Sequence, residues 1–92
     1  MATGKVKTNL VKNIPVTHGT INAGNSSTVT TSGESLPETA IIAAITVSGN
    51  YNSDIVSWSH YVIDGQLVSR VKNTGSNQAS NIVVTYKVVI PS

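Results

Sequence analysis

The sequence predicts an all-β domain: an antiparallel β-sandwich, jelly-roll-like, with about six or seven short strands. Three observations carry that reading. β-Branched residues dominate, since thirteen Val, nine Ile and eleven Thr make up over a third of the 92 residues, and such side chains suit a pleated surface. Good helix formers are scarce, with three Leu, six Ala and two Glu. The other polar residues are mostly uncharged, nine Asn and twelve Ser, and they gather with Gly between the apolar runs, where turns form.

Ninety-two residues make one domain. With no cysteine there is neither a disulfide nor a thiolate zinc site to staple it. A net charge of +2 is too small to draw nucleic acid or an anionic membrane. The longest apolar run, 40–45, is far too short to span a bilayer. Residues 1–13 carry Lys5, Lys7 and Lys12 without an apolar stretch behind them, so no secretory signal is expected.

The elements follow in order. Residues 5–16 contain Pro15, which cannot donate to a ladder, so residues 1–16 read as an N-terminal arm or edge strand ahead of a sandwich domain over 17–92. Residues 18–24 read as a strand ending in a turn, and 25–31 as a short strand whose one apolar residue is Val29. Gly33 and Pro37 break the chain into a loop over 32–38. Residues 39–48 (TAIIAAITVS) are apolar at both alternations and predict a strand buried on both faces, the second covered by another subunit; a helix is the alternative reading of so short a run. Residues 49–54 form a loop.

The clearest signal is residues 55–63, Asp64-Gly65 and 66–72, the pattern of a hairpin with a two-residue type I′ turn. Its register opposes Ile63 to Gln66, His60 to Ser69, Ser59 to Arg70 and Trp58 to Val71. Opposed residues share a face. Val56, Trp58, Val62, Leu67 and Val71 then point inward with His60 and Ser69, while Ser57, Ser59, Tyr61, Val68, Arg70 and Lys72 point outward. A loop over 73–80 leads to the last strand, 81–90, with Ile82, Val84, Tyr86, Val88 and Ile90 on one side.

No constellation in the sequence demands catalysis. Ser59, His60 and Asp64 are close, but neighbours on a strand point to opposite faces. G-x-S-x-G, H-E-x-x-H and P-loop patterns are absent, and four carboxylates are few for a glycosidase pair, so no enzyme activity is expected. No cofactor is expected either, and no histidine or carboxylate spacing marks a metal site. His60 reads as a core histidine bonded to Ser69 or to backbone, with a place near an oligomer axis as the alternative. His18, before Gly19, reads as an exposed loop residue. Asn25-Ser26-Ser27 matches the N-glycosylation pattern, a weak signal in so Asn- and Ser-rich a chain.

The outward hairpin face carries Tyr61, Arg70 and Lys72, and Tyr51 stands in a turn between Asn50 and Asn52. The bland reading of that face is a solvated sheet surface. The sharper one is a sugar platform, with tyrosines stacking on a ring and Arg70 and Lys72 donating to hydroxyls or an anionic group. Tyr51, Tyr61, Arg70 and Lys72 are therefore the candidate ligand-binding residues.

Two stretches carry a resemblance: Thr20-Ile21-Asn22-Ala23-Gly24-Asn25-Ser26-Ser27-Thr28-Val29-Thr30, and Arg70-Val71-Lys72-Asn73-Thr74-Gly75 followed by Asn81-Ile82-Val83-Val84-Thr85-Tyr86. They resemble small β-sandwich modules of bacteriophage virion proteins, found in tail fibres, baseplate receptor-binding proteins and head fibres or decoration proteins. The resemblance is one of style, covers about residues 20–90, and implies a homotrimer displayed on a particle that binds a host cell-surface saccharide. The collagen-like or coiled-coil stalk common in that family is missing here. The alternatives are a capsid decoration or head-fibre protein without glycan binding, docking through its basic N-terminal segment onto other virion proteins, and an extracellular carbohydrate-binding module. Symmetry base rates favour a dimer over the trimer of the resemblance.

Overall fold

Six strands follow one another: β1 (Leu10–Ile21), β2 (Ser26–Thr30), β3 (Ile41–Asn50), β4 (Ile55–Ile63), β5 (Gln66–Asn73) and β6 (Ala79–Ile90). They are seen in a computed structural model that describes residues 9–32, 35–50 and 54–91. Two antiparallel sheets of three strands result, β1-β6-β3 and β2-β5-β4. The described residues contain no helix, and none long and apolar enough to cross a membrane. Only the β4–β5 hairpin stays within one sheet, and every other connection passes from one sheet to the other. The pairs β1·β6 and β2·β5 are nested in sequence, as when a long antiparallel ribbon is folded over on itself.

Both sheets feed one core. β6 is central in its sheet, and the period-2 alternation of its sequence places Ile82, Val84, Tyr86 and Val88 at 0% exposure. Ile14, Val16 and Ile21 of β1, Leu67 and Val71 of β5, Ala79 at the start of β6, and Leu36 from the β2–β3 linker complete the cluster. Asn73, itself buried, closes one end: its side-chain amide donates to the carbonyls of Ile21 (3.0 Å) and Asn77 (2.8 Å), and its side-chain oxygen accepts from Gly75 N–H (3.0 Å). Its backbone bonds Gly24 and Asn25, so the Ala23-Gly24-Asn25 and Asn73-Thr74-Gly75 stretches meet there.

The ladders shift register at five points: near the start of β6 that strand carries one extra residue against both β1 and β3, and β1, β3 and β4 each carry a single-residue insertion that changes which face a side chain serves. In β1, His18 is inserted between the pairs Thr17↔Val83 and Gly19↔Ile82. Gly19, at φ 75°, takes the left-handed conformation that lets the strand kink and continue, so Leu10–Ile21 is one strand rather than two. It lies at the sheet edge, where Pro15 costs no ladder bond to a further neighbour. In β3 the inserted residue is Ala43, which brings Ile42, Ile45 and Val47 to the core side opposite Val88, Tyr86 and Val84. β3 is an edge strand and is not buried on both faces: Ile42 and Val47 are half-buried, Ile41 and Ile45 exposed.

The third insertion is in β4. The turn is as the sequence predicts, with Asp64 at φ 51° and Gly65 at φ 77°, and the pairs run in register from Ile63↔Gln66 to Ser59↔Arg70. The ladder then slips: Val71 is opposed by Ser57, not by Trp58. A slip of one residue exchanges faces. Trp58 and Val56 turn outward, 53% and 46% exposed, while Ser57 and Ile55 turn inward. The inward placement of Trp58 and Val56 is thus corrected.

Candidate functional site

The β2-β5-β4 sheet presents two faces of different chemistry. Its inner face carries Ser69 in the middle of β5, fully buried, with His60 opposite on β4 and Val29 opposite on β2. Tyr86 reaches across from β6 and donates its phenolic proton to Ser69 Oγ. That proton being spent, the same Tyr86 oxygen accepts from His60 Nδ1–H. Ser69 in turn donates to His18 Nε2 (2.8 Å), and His18 Nδ1–H donates to Ser27 Oγ (2.7 Å). One relay therefore links β4, β6, β5, β1 and β2.

This places His18 inside, half-buried and doubly bonded between the sheets, not exposed in a loop. Burial lowers the pKa of both imidazoles, and a positive charge on His60 would lower that of His18 further. Burial raises the Tyr86 pKa, and the bond to Ser69 opposes that rise. His60 Nε2 is buried with no partner, so a proton placed there would have no acceptor. The Ser69–His18 spacing is that of a nucleophile and its base, but Ser69 is 0% exposed and its hydroxyl is already bonded on both sides. Its geometry is that of an inter-sheet tie. Among the described residues no group of three metal-ligating side chains comes together.

The outer face is built from the alternate residues of the same strands. Arg70 lies between Thr28 of β2 and Ser59 of β4, and Lys72 between Ser26 and Val56. The Arg70 guanidinium carbon is 5.2 Å from the centre of the Trp58 ring and 5.6 Å from that of Tyr61, within the range of cation–π attraction. Arg70 Nε is buried without a hydrogen-bond partner. Beside it a shallow depression of about 290 Å³ is lined by Ser26, Val56, Trp58, Lys72 and Thr74. Thr74 is fixed by bonds from its N–H and hydroxyl to the carbonyl of Asp54, both 2.8 Å.

Of the sequence-predicted candidates, Tyr61, Arg70 and Lys72 are brought together on this face, while Tyr51 lies outside the described residues. Trp58 is the member that sequence reasoning missed, because a perfect alternation through Val56, Trp58 and His60 gives no sign of an insertion. His18 had a visible signal: a glycine inside a strand pattern marks a bulge. Comparison of the chain with protein families, with curated proteins and with solved structures finds no match.

Proposed function

We propose that this protein is a non-catalytic saccharide-recognition module of a bacteriophage virion. In this reading it is a jelly-roll-like β-sandwich that assembles as a homo-oligomer, a trimer by its resemblance, and holds host cell-surface sugars on the outer face of β4 and β5. The observation that carries it is Trp58: an indole 53% exposed on a sheet face, beside a cation and a tyrosine, with a shallow depression at its edge. Sugars are bound by such combinations, apolar C–H faces on aromatic rings and hydroxyls on polar donors. Nested strand pairing supports the jelly-roll-like class. Exposed Leu10, Val11, Ile41 and Ile45 support association, since soluble monomers rarely leave many large apolar side chains bare.

Single sugar sites are weak, so several copies would act together. The test is adhesion of the purified protein to host cells and to immobilised glycans. Changing Tyr61 and Arg70 to Ala is expected to abolish adhesion while leaving the fold and the oligomer intact. Absence of any glycan or cell binding in the parent, with loss of particle association after replacement of Lys5, Lys7 and Lys12, would instead establish a decoration role; Lys5 and Lys7 lie outside the described residues.

A further inference from the structure

The outer face is cationic as well as aromatic, and its charge is unbalanced. Glu38, Asp54 and Asp64 are the carboxylates among the described residues, in the β2–β3 linker, ahead of β4 and in the hairpin turn. No ion pair among the described residues joins any of them to Arg70 or Lys72. Arg70 and Lys72 are two apart on β5 and project from the same side, about 7 Å from each other along the strand. The rings of Trp58 and Tyr61 lie within cation–π range of the guanidinium, the contacts that hold it in place. Nε is buried without an acceptor and out of a ligand's reach, so the tip edge formed by the two Nη groups is what an incoming anion can meet. A planar, two-oxygen anion matches such an edge bidentately, which a hydroxyl cannot.

We propose that the ligand of this face is an acidic saccharide, its carboxylate meeting the guanidinium edge of Arg70 while a sugar ring rests against Trp58 in the depression beside Lys72. This rests on the saccharide reading above and adds the charge of the sugar. Neutral glycans would fill the apolar part and leave the Arg70 edge unmet. An acidic one satisfies both, and Lys72 supplies a second positive charge without fixed geometry.

Matched glycan pairs test it on the full chain: oligogalacturonate against its methyl ester, and sialylated against desialylated oligosaccharides, displayed densely on a surface. The acid member of a pair is expected to bind at least tenfold more tightly than its neutral twin, and less so in high salt. Arg70→Lys keeps the charge but loses the fork, and should erase most of the preference; Lys72→Ala should weaken binding of acid sugars alone. The lone tryptophan, Trp58, reports binding by a change in fluorescence, and circular dichroism verifies that each variant is folded. Equal binding of both members, or preference for the neutral one, overturns the acidic-sugar proposal and leaves the saccharide reading standing. No binding to any member of the panel overturns both. Competition by inorganic phosphate as strong as by free galacturonate would show a bare anion site and likewise overturn the proposal.

Discussion

Ser69 and Arg70 are neighbours on one strand and belong to opposite chemistries. On the inner side of the sheet Ser69 is sealed, and the relay around it spends each hydroxyl proton on a neighbour. On the outer side Arg70 is held by two rings, and only its Nη groups are left to meet an incoming group, since Nε is buried. The comparison separates polar groups that bond within the fold from polar groups that face outward. A buried network bonded from strand to strand, with His60 Nε2 as its one buried atom without a partner among the described residues, fixes how two sheets sit on each other. A surface cation without a carboxylate partner and flanked by exposed aromatics adds little to stability and, in the proposed function, meets the ligand.

The first way to break this comparison is to attack the inner side. Tyr86→Ala removes a fully buried ring and is expected to cost about 3–5 kcal/mol in urea denaturation. Tyr86→Phe keeps the ring but leaves Ser69 and the His60 Nδ1–H without their partner, for a cost of about 1–3 kcal/mol. If Tyr86→Phe were as stable as the parent, the relay would not be holding the sheets. The turn that assigns both faces comes next. Gly65→Val should cost about 1–2 kcal/mol, because a β-branched residue is strained at positive φ. The space there is open enough, as an added Cβ would sit 3.6 Å from the nearest backbone atom, so the cost is conformational.

Acid sharpens the same contrast. Both histidines have folded-state pKa values below the ordinary 6.5. Above pH 6.5 they are neutral in both states, and stability is at its full value. As pH falls below 6.5 the unfolded chain takes up protons first, so stability declines until the depressed folded values are passed. Urea midpoints at pH 7.5 and 5.5 should therefore differ, the acid one being lower. An unchanged midpoint would mean the imidazoles are not buried in the relay.

The smallest expected effect is on the outer side. Trp58→Ala loses an exposed cation–π contact, for about 0.5–1 kcal/mol, and should leave the urea midpoint near the parent's while, under the proposed function, abolishing glycan binding. Loss of fold instead would mean that Trp58 is core.

Much of this molecule was legible in its residues. Asp64-Gly65 set the hairpin and its first five pairs, from Ile63↔Gln66 to Ser59↔Arg70, since positive φ at both positions leaves few other turns. The alternation of Ile82, Val84, Tyr86 and Val88 announced the central strand. What periodicity could not show were the insertions at Trp58, Ala43 and His18. A bulge adds one residue, changes no local preference, and flips everything beyond it. Gly19 was the one compositional trace of the three. The outer cations and Tyr61 were placed by the register alone, whereas Trp58 beside them depended on the slip. The burial of β3 was misjudged for a different reason: an apolar run does not say whether its strand is central or at an edge.

The central claim is that the slip in β4 turns Trp58 out of the core and onto Arg70, making the ligand face. Acrylamide quenching of the only tryptophan, with and without a bound acidic oligosaccharide, tests it most directly. A red-shifted emission, efficiently quenched and then protected when the sugar binds, is the expected result. A blue-shifted indole that acrylamide does not reach would place Trp58 in the core opposite Val71 and contradict the account.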